Sequence, residues 1–307
     1  VYHGIVLRRS PIDGVWQLTT EECAIKKMKW NKIKSIRGLN SQENPKQEMA
    51  VMQYLEQYFV GTNVSAAAAM LQTGIIMPLD FFYDSECLYI ITPFCSDGEL
   101  WELLRFKNHF TEDEGRYLLT NILNGLEHLQ RAGLCHLDIS LENIMIHQGT
   151  TVLIDMGMSL KIPFVHNEEN DANVPRNIDY RNERAHRCLI DSETPYGKPY
   201  CKAPENNNGD PFDGHAVDMW PVGVCLFSML AGRKPWERAR ETDWYFRHYS
   251  GGYLVALLTN DTDINLSGDA MDILQRMLLA DPKDRLSLQQ VRNHPWMNGP
   301  TNNPTNN

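Results

Sequence analysis

The spacing of apolar residues changes character near residue 98, and that change limits the fold more than any other feature of the chain. Before it, short apolar runs dominate. "GIVLRR" and "ECAIKKM" flank the turn "SPIDG" and read as a hairpin. "NPKQEMAVMQYLEQYF" carries Met49, Met52, Leu55 and Phe59 at intervals of three and four, which predicts a helix. "GIIMPLDFFYDSECLYIITPF" returns to strands around "DSE". Beyond residue 98 the pattern is helical. "TEDEGRYLLTNILNGLEHLQRAG" opens with Thr111 and Glu114 at capping-box spacing and buries Leu118, Ile122, Leu126 and Leu129. "VDMWPVGVCLFSMLAG" is apolar on nearly all sides, so other elements must enclose it. "SGDAMDILQRMLLADP" and "SLQQVRNHP" add two more helices. The expected fold is α+β and bilobal. A small β-rich lobe spans 1–94, a connector lies near Pro93, a helical lobe spans 95–298, and an Asn/Pro-rich tail at 299–307 is expected to be disordered. Two lobes joined this way leave a cleft, where ligands usually bind.

Composition narrows the partners. The 307 residues carry a formal charge of -10, which argues against nucleic acid as the main partner and favours basic ligands. Seven cysteines are scattered without a C-x-x-C pair, as expected of reduced thiols in a cytoplasmic compartment, and they disfavour zinc. No apolar run approaches ~20 residues, so no membrane span is expected. The sequence begins at Val1 rather than Met, which leaves N-terminal targeting open, and oligomeric state is open as well.

Three polar side chains stand at strand ends in "HLDISLENIM" and "TVLIDMG": Asp138, Asn143 and Asp155. Oxygen ligands of this kind suit a hard divalent cation such as Mg²⁺, with one carboxylate left over to accept a hydroxyl proton. Taken alone, the pattern equally fits polar caps on a hairpin. Upstream, "CAIK" puts Lys26 on a strand where its ammonium can meet phosphate, and Glu48 on the following helix can fix it by an ion pair. Downstream come "APE" (203–205), "DMWPVG" (218–223) and "MLLADPKDRLSLQQVRNHPWM" (277–297), in that order.

With these motifs in this order, residues 1–298 resemble the eukaryotic protein kinase family. The resemblance implies ATP and Mg²⁺ as cofactors and protein substrates bearing serine or threonine. It implies Lys26 as the contact to the α- and β-phosphates. Glu48 would be its helix partner, with Glu43 the alternative. It implies Asp138 as catalytic base and Asn143 and Asp155 as magnesium ligands. Thr92 falls at the gatekeeper position and Pro93 to Cys95 at the adenine-binding connector, where a carbonyl suffices and the missing N–H of Pro93 is tolerated. Glu99 resembles the ribose-contacting acid. Glu205 and Arg285 resemble a buried structural ion pair, and Asp218 an acid that holds the catalytic loop. Glu142 matches a position that, in members preferring basic peptides, attracts an arginine before the target residue; it equally caps the loop.

The chain departs from the family pattern at four places. No glycine-rich phosphate loop is visible, and Gly4 and Gly14 do not replace it. Leu137 stands where an arginine usually meets a phosphate on the activation segment, which implies activity independent of that phosphate. Ser140 stands at the usual lysine and Lys198 at the usual threonine of "GKPYCKAPE", so both markers of serine/threonine specificity are missing. The stretch from Asp155 to Glu205 is long and polar. No glycine triad, "HLD" and "GK" before "PE" occur together in the FIKK kinases of parasitic protists, to which "AIKK" (24–27) is also similar; related protist kinases with "HLD" share the same features. The FIKK likeness implies host or cytoskeletal substrates and secretion into a host cell. The rival reading is a pseudokinase scaffold, favoured by the missing glycines and opposed by Lys26, Asp138, Asn143 and Asp155 standing together.

Overall fold

A computed structural model of the chain describes residues 1–12, 14–31, 44–59, 64–163, 187–191, 196–249 and 265–299. Strands β1 (Tyr2–Arg9) and β2 (Trp16–Lys29) form the expected hairpin, in antiparallel register from Tyr2 opposite Ile25 to Arg9 opposite Trp16. Strands β3 (Asp80–Tyr83) and β4 (Cys87–Pro93) complete an antiparallel sheet of order β1-β2-β4-β3. β2 lies between two strands, so its alternate side chains have fixed faces. Lys26 sits opposite Ile90 of β4.

Helix α1 (Pro45–Phe59) packs beside this sheet. Its buried face is Glu48, Val51, Met52 and Leu55, while Met49 and Phe59 are only half-buried. The stripe is therefore turned by about one position from the apolar spacing, and a charged residue holds a core position. Helix α2 (Ala66–Thr73) is capped by Ser65, whose hydroxyl accepts from Ala68 N–H, and ends on left-handed Gly74.

Beyond β4 the chain is helical. α3 (Leu100–Lys107) precedes α4 (Glu112–Arg131), whose capping box of Thr111 and Glu114 forms as its spacing predicts. Leu119, Ile122, Leu126 and Leu129 of α4 are fully buried. Short strands β5 (Leu134–Cys135), β6 (Ile144–His147), β7 (Thr150–Leu153) and β8 (Leu160–Lys161) follow, with β6 paired to β7 and β5 to β8. Two tight turns thereby stand side by side, one before β6 and one after β7. This is the bilobal α+β architecture.

Helices α5 (Pro204–Asn208), α6 (Gly214–Ala231), α7 (Trp244–His248), α8 (Gly268–Met277) and α9 (Leu288–Arg292) build the rest of the larger lobe. Among the described residues only α6 has the length and apolar content of a membrane span, and 89% of it is buried by its neighbours. The tail from residue 300 lies outside the described residues.

An ion pair fastens α5 to the loop between α8 and α9. Arg285 is fully buried and donates to both oxygens of Glu205, at 2.8 and 2.9 Å. It also donates to the carbonyls of Ala216, Leu279 and Ala280 and lies over the Trp220 ring. Removing one partner of such a pair strands a charge in the core. Glu205→Ala is expected to destabilise the chain by about 3–5 kcal/mol, read as a lower urea midpoint. A change below about 1 kcal/mol would mean that the three carbonyls satisfy Arg285 unaided.

Candidate active site

A cavity of about 300 Å³ opens between the sheet and the β6–β7 hairpin. The sheet contributes Ala24 and Ile90, and the hairpin side contributes Met145 and Ile154, so opposing surfaces are apolar. Thr92, the backbone run Pro93–Cys95 and Glu99 line the connector side. Pro93 offers only a carbonyl there. Burial pushes the Cys95 thiol up to about 11, so it stays neutral. Burial also raises Glu99, with Glu102 and Glu142 adding to the effect.

The inner end of the cavity is ionic. Lys26 Nζ donates to both oxygens of Glu48 at 2.9 Å and to Asp155 Oδ2 at 3.2 Å. Burial alone would lower the lysine, but the two carboxylates outweigh it and hold Lys26 above its ordinary value. Glu48 takes a core position because this ion pair draws it inward. Of the two candidate partners, Glu48 makes the contact; Glu43 lies outside the described residues. α1 is tied to the loop after Asp155 by Gln47 Nε2, which donates to Ser159 O at 2.5 Å. The Asn44 N–H adds a bond to Gly157 O at 3.3 Å.

Asp138, Asn143 and Asp155 converge from the two tight turns. Asn143 Nδ2 donates to Asp138 Oδ2 at 2.7 Å and to Asp138 O at 2.8 Å. That commits the amide nitrogen and leaves its oxygen as a free-facing acceptor. Asp138 Oδ1 is buried and accepts no side-chain hydrogen bond among the described residues, and the Lys198 backbone N–H acts on the carboxyl from the segment side. Burial raises the Asp138 carboxyl, and Lys198 and Asn143 pull it partly back. Burial also acts to raise Asp155, but Lys26 and the Gly157 N–H outweigh it and keep the carboxyl low. Asp155 has φ +64°, a left-handed position that turns its carboxylate toward Lys26 while Met156 is buried.

His136 couples the two turns. Its Nδ1 accepts from Asp138 N–H at 3.3 Å, which puts the ring proton on Nε2, 3.0 Å from Ile154 O. Burial pushes it down to about 4, so the ring is neutral at physiological pH. Beneath it, Asp218 of α6 accepts from His136 N–H at 2.6 Å and Leu137 N–H at 2.8 Å.

A model of the protein kinase domain matches residues 12–297. The chain belongs to the protein kinase family. It is 28% identical over 210 residues to a probable serine/threonine-protein kinase, MARK-C, of Dictyostelium discoideum, covering 68% of this chain and 23% of that protein. It is 27% identical over 230 residues to the SNF1-related protein kinase catalytic subunit alpha KIN12 of Arabidopsis thaliana, covering 75% of this chain and 40% of that protein. It is 28% identical over 218 residues to an Aurora kinase of Saccharomyces cerevisiae, covering 71% and 51%. The chain therefore spans between about a quarter and about half of these relatives.

Protein kinases use ATP and Mg²⁺. The residues fit both. The cavity has apolar faces for a flat base, Lys26 lies at its inner end for phosphates, and Asp155 with the Asn143 oxygen offers hard ligands.

Some parts of this protein kinase site were not visible in the sequence. Lys198 Nζ donates to Ser140 Oγ at 2.5 Å and lies 3.9 Å from Asp138 Oδ2, so the two substituted positions touch. The Glu142 carboxylate accepts from Tyr200 OH at 2.9 and 2.6 Å and lies 4.0 Å from Lys198. Its burial acts to raise it, but the Tyr200 hydroxyl outweighs this and keeps it ionised. Leu137, at φ +65°, is buried. The space left beside Leu137, lined by Tyr196, Val217 and Pro221 with Asp138, Lys202 and Asp218, is about 10 Å³, room for no more than one water.

Asp218→Ala orphans two buried N–H groups, at about 1–3 kcal/mol each. The expected result is lower stability in denaturant together with looser catalytic-loop amides in hydrogen exchange. Unchanged protection at His136 and Leu137 would mean the loop stands without its anchor.

Proposed function

We propose that this chain is an active protein kinase, ATP- and Mg²⁺-dependent, that phosphorylates serine or threonine of protein substrates. The carrying observation is the formed Lys26–Glu48–Asp155 ion cluster beside a buried Asp138 held by the Asn143 amide. A scaffold that only binds partners has no use for that arrangement. Bound Mg²⁺–ATP supplies the phosphoryl group and its charge neutralisation; the chain supplies alignment. Lys26 holds phosphate oxygens, Asn143 and Asp155 hold the metal, and Asp138 Oδ1 accepts and orients the substrate hydroxyl proton. Pro93 and Cys95 bind adenine through backbone groups, and Glu99 contacts ribose. Thr92 borders the adenine end. Serine/threonine preference is supported by relatives named serine/threonine-protein kinases.

Activity without activation-segment phosphate is supported by Leu137. An apolar side chain sealed against Tyr196 and Val217 holds the segment by burial, and a phosphate has no room there. A preference for basic peptides is supported by Glu142, kept ionised on the rim, and by the net charge of -10. A reducing, cytoplasm-like compartment is supported by seven free cysteines, all buried.

Transfer from labelled ATP to peptides bearing Ser, Thr or Tyr tests the reading. Asp138→Asn is expected to lose about 10²–10⁴ in kcat while still binding Mg²⁺–ATP. A parent that binds nucleotide but transfers nothing is the scaffold. Phosphatase treatment is expected to leave the rate unchanged, and a large loss would overturn the activation-independent part. Glu142→Ala is expected to slow Arg-bearing peptides more than Arg-free ones; equal losses would assign Glu142 to loop capping.

A further inference from the structure

Phosphoryl transfer spreads negative charge over oxygens that lie between the nucleotide and the acceptor hydroxyl. A cation is needed on the hydroxyl side, beside the base. Lys26 stands on the nucleotide side, bonded to Glu48 and Asp155 at the inner end of the cavity. In this family the catalytic loop usually offers a lysine two residues after the base, and here that residue is Ser140.

Lys198 fills the gap from the opposite strand of chain. Its ammonium is held by the neutral Ser140 hydroxyl at 2.5 Å, with two ion-paired carboxylates flanking it. Asp138 and Glu142 lie at 3.9 and 4.0 Å, beyond direct hydrogen bonding. An ammonium has three donors, and the Ser140 bond spends one.

The backbone around Lys198 is built to deliver it there. Gly197 has φ +88°, and a Cβ on it would stand 2.9 Å from Leu137 O, so only glycine lets the segment lie against the catalytic loop. On the other side, Tyr200 is pinned by its hydroxyl to Glu142 and by its carbonyl to Trp236 Nε1 at 3.0 Å.

We propose that Lys198 is a catalytic residue of this chain, contacting an oxygen of the transferred phosphoryl group beside Asp138, and that Ser140 is its positioning residue. The inference rests on the kinase reading above. The acceptor hydroxyl gives its proton to Asp138 as its oxygen–phosphorus bond forms. The bond from that phosphorus to the bridging oxygen breaks and ADP leaves, while Lys198 only donates hydrogen bonds to the phosphoryl oxygens. The serine and lysine are thus one exchange of places: the charge comes from the segment and the hydroxyl from the loop.

The test uses the full chain and steady-state transfer to a serine peptide. Lys198→Thr is expected to lower kcat about 10²–10³-fold, with Mg²⁺–ATP binding and peptide KM near the parent's. Adding Ser140→Lys to Lys198→Thr returns the charge from the loop side and is expected to recover at least part of the loss. Ser140→Ala alone is expected to lower kcat less than Lys198→Thr, because the ammonium remains. A parent that transfers phosphate, with Lys198→Thr equal to it, overturns the inference and leaves the kinase reading intact. A loss in Lys198→Thr that the double variant does not relieve, or one matched by weaker nucleotide binding, also overturns it. A parent without transfer removes both.

Discussion

Two backbone N–H groups end on one buried carboxylate, and the catalytic machinery depends on that junction. Leu137 is held at φ +65°, a conformation that costs a non-glycine residue roughly 1–2 kcal/mol. Asp218 offsets this by accepting from both His136 and Leu137. Asp218 can do so only because α6 is enclosed on all sides and cannot rotate. Arg285 fixes the start of α6 through Ala216 O while closing on Glu205. From Asp218 the order passes through the neutral His136 ring to Ile154 O, then to Asp155, Lys26 and Glu48. Every link in that series is buried or half-buried. A charge lost at any point would leave its neighbour unsatisfied.

The same series shows how acidic side chains with one chemistry take different roles. Asp155 stays ionised because Lys26 and the Gly157 N–H outweigh its burial. Asp138 is pushed the other way by burial, which Lys198 and Asn143 only partly offset. Glu48 holds the lysine and stays out of reach of solvent. Environment rather than residue type separates these carboxyls, and their proposed roles as metal ligand, base and counter-ion follow those differences.

Local features were the legible part of the fold. The capping box at Thr111, the four-leucine-type stripe of α4 and the all-round apolar α6 depend on neighbours within one or two turns, and each stands as its spacing predicts. The turn of α1 was not legible, because Glu48 is drawn inward by Lys26, 22 residues away in sequence. Ser140 and Lys198 stood out individually as odd residues, yet their contact spans 58 positions. The same separation hides Tyr200 on Glu142. A periodicity argument has no access to such pairs. What could have found them is complementarity: one position losing a lysine for a hydroxyl while another loses a hydroxyl for a lysine. The middle of the Asp155–Glu205 stretch, residues 164–186, lies outside the described residues, so its expected length has no structural counterpart.

Leu137 and Lys198 are two halves of one constraint. A lysine in the catalytic loop would be in place whatever the following segment did. A lysine carried by that segment is in place only while the segment lies against the loop. A phosphate–arginine contact would make that state conditional on modification. Buried Leu137, the close approach at Gly197 and the Tyr200–Glu142 bond instead hold it by packing and local hydrogen bonds. On the proposed role of Lys198, moving the cation to the segment requires a segment held without a phosphate, which is the proposed consequence of Leu137. An arginine restored at Leu137 would have to enter a space of about 10 Å³ lined by Tyr196, Val217 and Pro221 and also by Asp138, Lys202 and Asp218. It would push the segment away and take Lys198 with it.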